Sequence, residues 1–146
     1  MRLEVPIFRQ ERDWSCLVAC VRMCLTYVGI ERSEDELVTL LGASPLGLTL
    51  EQASEGIRGL DCEVELAYNR DLLWLINRVL DEEAVIVATL IRFVDDCEVR
   101  HAVVVVGLGD HEIEVIDPAA GEIVRMPQQE LYKRWRAVNG AALVIG

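Results

Sequence analysis

Cys16 opens an apolar, helically spaced segment and stands six residues after Gln10, in the run Gln10-Glu11-Arg12-Asp13-Trp14-Ser15-Cys16-Leu17-Val18-Ala19-Cys20. Far along the chain His101 opens the apolar run of residues 102–106, and Asp117 closes the next strand-like segment, just before Pro118. A thiol, an imidazole, a carboxylate and a side-chain amide supply four roles that thiol acyl chemistry uses together. They are nucleophile, general base, orienter of the base and oxyanion donor.

Each position has a physical reason. A helix start presents free N–H groups and the positive end of the dipole, and both stabilise a thiolate. His101, at the beginning of a strand, can point across a cleft toward that helix end. The segment 107–111 is rich in turn residues (Gly107, Gly109, Asp110) and predicts a hairpin between the two strands. The start of one hairpin strand faces the end of the next, so Asp117 is expected beside His101, where a carboxylate would fix the tautomer and favour the charged ring. His111, in the turn at the far end, is read as solvated. The Gln10 amide would donate to a developing oxyanion alongside the Cys16 backbone N–H. Trp14 either walls the cleft or simply packs. Cys20 and Cys24 repeat every fourth residue behind Cys16, and small buried core residues are the expectation there. The spacing is not C-x-x-C and the chain has 2 histidines, so no metal site is expected.

These residues need elements to hold them. Residues 5–8 read as a short extended entry strand. Leu17, Val18, Cys20, Val21, Cys24 and Leu25 predict a helix over residues 15–27, with Ser15 as its cap and Gly29 at its end. Ser33-Glu34-Asp35-Glu36 and Thr49-Leu50-Glu51-Gln52 are capping boxes, opening helices to Leu41 and to about Ile57. Residues 63–68 alternate as a strand, and Asp71 caps a helix carrying Leu72, Leu73, Trp74, Ile76 and Leu80. Strands follow at 84–90, 100–106, 112–117 and 122–125, joined as a meander, then a helix over 128–136 and a last strand at 141–145. Trp74 and Trp135 are expected in the core. Helices first and antiparallel strands after them predict one α+β domain over residues 1–146.

With 52% hydrophobic and 27% charged residues the composition is that of a soluble globular protein. A net charge of -11 argues against nucleic acid and anionic membranes as partners. No run approaches the length of a membrane span, and residues 1–6 lack a signal-peptide core, so a cytoplasmic protein is the expectation. The 5 cysteines are expected to be reduced, with no disulfide among Cys20, Cys24, Cys62 and Cys97. No cofactor is expected.

The constellation resembles the papain-like cysteine peptidases and, more closely, the bacteriocin-processing peptidases that trim double-glycine leader peptides. That pattern runs Q, four residues, D-C-G, one residue, A-C-L, one residue, M, and Gln10, Cys16, Ala19, Cys20 and Met23 match it. His101, Val103, Val104, Asp117 and Pro118 match the later pair of motifs, with Gly121 behind them. The resemblance implies a papain-like fold, Cys16 as nucleophile, His101 as base and acid, Asp117 as orienter, Gln10 as oxyanion donor, and a peptide or protein substrate. Ser15 stands where the family has aspartate, and Leu17 stands where it has glycine, beside the place a Gly-Gly substrate would lie. Family members often precede an exporter's membrane and ATPase domains, and whether the partner is a separate exporter or another operon product is left open by the sequence.

Three readings follow from these residues. The first is a cysteine peptidase-like hydrolase that cleaves a peptide or related amide. The second is an acyl transferase on the same fold, with an amine replacing water. The third is a non-catalytic domain that holds a peptide in the cleft.

Overall fold

A computed structural model describes the backbone of residues 1–94 and 97–146, and side chains outside residues 91–99. The elements are α1 (Cys16–Tyr27), α2 (Glu34–Leu41), α3 (Leu50–Ile57), β1 (Val64–Ala67), α4 (Leu72–Leu80), β2 (Val85–Val94), β3 (Cys97–Leu108), β4 (Glu112–Asp117), β5 (Glu122–Pro127), α5 (Gln128–Arg136) and β6 (Ala142–Ile145). This is the expected α+β papain-like arrangement.

Local chemistry explains most boundaries. Ser33 and Thr49 close complete capping boxes with Glu36 and Gln52, and Gly42 ends α2 in the left-handed conformation. The Asp71 carboxylate caps α4 by accepting from the Trp74 N–H. Ser15 departs from expectation. It occupies the N-cap position of α1 but caps nothing with its side chain, because its hydroxyl is engaged by Arg12 and Glu34 instead.

The strands form one antiparallel sheet in the order β1-β6-β2-β3-β4-β5. The meander β2 to β5 is as expected, and β6 returns to insert between β1 and β2. Val103, Val104, Val105 and Val106 are all buried, so β3 is covered on both faces. α1 packs on β3, and every residue from Leu17 to Leu25 except Arg22 is buried. α5 packs on β2, burying Leu131 and Trp135. Trp135 is fully buried, with its ring centroid 6.3 Å from that of the partly exposed Trp74.

Residues 5–8 form no strand. Pro6 has no N–H to offer a ladder, and the amino-terminal segment is bonded at its two ends. Met1 and Leu3 bond to Leu108 and Val106 of β3 (Leu3 N–H to Val106 O, 2.8 Å), and the Gln10 N–H donates to Pro118 O at 2.8 Å. Among the described residues no helix is long and apolar enough to cross a membrane.

Candidate active site

α1 begins at Cys16, and its first turn abuts β3 where that strand carries His101 and Ala102. The His101 side chain and the backbone N–H groups of Ala102 and Leu17 all act on the Cys16 thiol, and each favours its thiolate. Burial pushes the Cys16 thiol up, but these bonds and the nearby imidazolium outweigh it, and the net shift is downward from 9.0.

His101 Nε2 lies 2.7 Å from Asp117 Oδ1, which leaves Nδ1 as the nitrogen for the thiol. Burial lowers the imidazole pKa, whereas its bonds to Cys16 and Asp117 raise it, and the net shift is upward from 6.5. Asp117 is itself steadied by the Ala119 N–H, 3.0 Å from the same oxygen. The register explains the meeting. Gly107 pairs with Glu114 and Leu108 with Ile113, a bulge intervenes at Val106, and then Val105 pairs with Val115 and Val104 with Ile116. Asp117 therefore falls beside Val103, and His101 is its diagonal neighbour on the same face. His111 is exposed in the opposite turn with φ 59°.

The structure brings Gln10 to the same cleft as Cys16. Its Nε2 donates to the carbonyls of Arg12 at 2.8 Å and Asp13 at 3.2 Å. Its Oε1 is buried without a hydrogen-bond partner. The amide is thus held at the rim by its own loop.

The cleft has a volume of about 1180 Å³. Trp14 forms part of its wall, as do residues of the segment 42–52, Tyr68 and the 137–139 turn. Leu46 projects fully into solvent at its rim. Leu17 lines the cleft but is only 6% exposed, so most of its side chain is packed into the core and little of it enters the cleft.

Cys20 and Cys24 are buried one and two turns below Cys16. Burial, with the neighbouring thiols and Asp117 adding to it, holds the Cys20 pKa well above 9.0, and burial pushes Cys24 up to about 12. Cys16, Cys20, Cys24 and Cys62 are free thiols; the side chain of Cys97 lies outside the described residues. No group of His, Cys, Asp and Glu among the described residues could hold a metal ion.

The model of the Peptidase C39 family matches residues 4–145. The chain belongs to the Peptidase C39 family. Solved structures agree on the C39 fold. A C39-like peptidase from Bacillus anthracis superposes with a TM-score of 0.80 at 15% identity, covering 100% of this chain and 98% of that one. The peptidase domain of Streptococcus ComA, a bi-functional ABC transporter involved in quorum sensing, gives 0.77 at 19% identity, with 98% of each chain covered. A double-glycine-motif protease from an AMS/PCAT transporter, solved with a leader peptide, gives 0.74 at 19%, covering 99% of this chain and 92% of that one. No curated protein matches the sequence.

One structural feature beside the site has no mark in the sequence. Glu34 lies outside the cleft, yet its carboxylate is buried beneath the loop that joins Gln10 to Cys16. The capping box locates Glu34 at the start of α2, where an acidic residue is ordinarily a solvated partner of the dipole. No periodicity marks it as buried.

Proposed function

We propose that this C39 chain is a single-domain cysteine peptidase of the cytoplasm that cleaves a peptide bond through Cys16, His101, Asp117 and Gln10. The observation that carries the reading is the His101 ring, 2.7 Å from the Asp117 carboxylate and close enough to Cys16 for each to shift the other's pKa. The four described thiols are free, in keeping with a reducing compartment.

The reaction starts from the thiolate–imidazolium form of the pair, which the downward shift of Cys16 and the upward shift of His101 both favour. The thiolate adds to the scissile carbonyl carbon, and the C=O electron pair becomes an oxyanion. The Gln10 amide and the Cys16 N–H donate to that oxygen, once Nε2 turns from the loop carbonyls. His101 gives its proton to the leaving nitrogen as the C–N bond breaks, leaving a thioester. It then takes a proton from water, whose oxygen attacks the thioester, and keeps it as the C–S bond breaks, so that the carboxylic product leaves and the thiolate–imidazolium pair is restored. Asp117 keeps the ring in the orientation that serves both steps.

A leader peptide is the substrate class proposed, because a structural relative was solved with one. An exporter is the proposed partner. The test is incubation with synthetic peptides carrying a Gly-Gly pair and with controls lacking it, read by mass spectrometry. Cleavage that vanishes in Cys16→Ala supports the reading. Cleavage that persists in that variant, or absence of cleavage in any peptide, refutes it. A transferase would give an amide product when an amine is added.

A further inference from the structure

Glu34 is 1% exposed, yet it carries a carboxylate. It accepts from the Glu11 N–H at 3.0 Å, from the Ser15 hydroxyl at 3.1 Å and from the Arg12 guanidinium at 2.6 Å. All three donors belong to the short loop between Gln10 and Cys16. Arg12 continues to the exposed Asp35, and Glu11 pairs with Arg22 of α1. Inside the loop, the Ser15 hydroxyl accepts from the Arg12 N–H at 3.0 Å, and the Arg12 carbonyl accepts from Gln10 Nε2 at 2.8 Å. One carboxylate therefore underlies both the Gln10 amide and the residue that precedes the thiol.

Taking a carboxylate out of water is unfavourable, and an apolar side chain could fill the same space without that cost. What an apolar residue could not do is bind three different donors from one irregular loop. The loop has no regular secondary structure of its own, so its shape depends on such bonds. Glu34 does not line the cleft and does not meet substrate.

We propose that Glu34 is a positioning residue of the thiol site, clamping the loop so that the Gln10 amide and the first turn of α1 stay in register around the Cys16 sulfur. The role rests on the peptidase reading for its turnover consequence, and on the loop geometry alone for its effect on the thiol. Glu34→Gln keeps the size of the side chain and one acceptor oxygen but turns an NH2 toward Arg12. The loop then loosens, and the first turn of α1, which begins at Cys16, is set less firmly against His101.

The experiment measures three things on wild type and Glu34→Gln: near-ultraviolet circular dichroism, kcat and KM for a cleaved peptide, and the pH midpoint of Cys16 alkylation. The expected result is a folded protein whose kcat is down by about 10²-fold, since misplacement by about an ångström costs that much. KM should change little, and the alkylation midpoint should move up toward that of an ordinary thiol. A merely structural role would lower the melting temperature without moving that midpoint. A folded Glu34→Gln with the wild-type kcat and midpoint overturns the proposal. If Glu34→Gln does not fold, Ser15→Ala decides. It removes the hydroxyl that joins the carboxylate to the residue before Cys16, together with that hydroxyl's bonds to the Arg12 backbone, and it should shift the midpoint the same way by less. A folded Ser15→Ala with a wild-type midpoint then overturns the proposal. If wild type cleaves no peptide while the midpoint still shifts, the peptidase reading falls and the positioning role stands.

Discussion

Asp117 reaches His101 across a diagonal of the sheet, 2.7 Å from the ring, although the register sets it beside Val103. The bulge at Val106 makes that possible. Extended without a bulge, the pairing of Leu108 with Ile113 and Gly107 with Glu114 would bring Asp117 opposite Val104. Val104 is three residues from His101 and so lies on the other face of the strand. A shift of one residue exchanges faces, and here it brings base and carboxylate to the same side.

Thiol reactivity follows from the cysteine environments. Cys16 is lowered from 9.0, whereas Cys20, Cys24 and Cys62 are all raised. Iodoacetamide at mildly acidic pH should therefore modify Cys16 first, as read by peptide mapping. His101→Ala should carry that reactivity back up the pH scale, because it deletes the imidazolium partner. If Cys16 labels no faster than Cys62 in folded protein, the thiolate site does not exist and the peptide-binding reading takes the lead.

The pH profile of kcat/KM should be a bell. Its acid limb is the protonation of the thiolate, at a pH below 9.0, and its alkaline limb is the loss of the imidazolium proton, above 6.5. The same shifts bear on folding stability. The raised His101 contributes stability that is complete below 6.5 and lost as pH rises through its folded value. The lowered Cys16 contributes stability present above 9.0 and lost as pH falls through its folded value. Asp117→Asn removes a bond that raises His101, so the alkaline limb should move to lower pH. An unmoved limb would deny Asp117 its orienting role.

Gln10→Ala should separate binding of the resting thiolate from catalysis. The amide acts on the oxyanion, so kcat should fall about 10²–10³-fold while alkylation of Cys16 stays near wild type. Equal loss in both assays would mean that Gln10 supports the loop rather than the transition state.

Gly140 closes the turn beside the cleft at φ 54°, and a Cβ there would lie 2.8 Å from the Arg70 carbonyl oxygen and 2.9 Å from the Arg70 nitrogen. Both neighbours are backbone and cannot swing aside. Gly140→Ala should destabilise the fold by about 1–3 kcal/mol, measurable as a lower urea midpoint with unchanged slope. An unchanged midpoint would contradict the close approach.

The sequence carried the elements well where side chains cap or repeat. Ser33, Thr49 and Asp71 each act on a backbone N–H a few residues away, so their helices were legible. Val103 to Val106 announced a buried strand by composition alone. What the sequence did not carry was set by partners distant in the chain. Ser15 reads as a cap until Glu34 is folded against it, and Glu34 reads as solvated until Arg12 covers it. The bulge at Val106 leaves no signature in a run of valines, so the face of Asp117 could be expected but not counted. Leu17 stands where the family has glycine, and its burial depends on the packing of α1.

The tether of the amino terminus to β3 sets an order of events during synthesis. The Met1 amino group bonds to the Leu108 carbonyl, 107 residues later in the chain, and Gln10 waits for Pro118. Contacts this far apart form late, after the intervening chain exists. A ribosome that has added residue 100 has made the thiol but neither its imidazole, at His101, nor its carboxylate, at Asp117. The nascent peptide thus emerges as an ordinary cysteine-containing chain, and the reactive site is delivered only when the β3–β4 hairpin is complete.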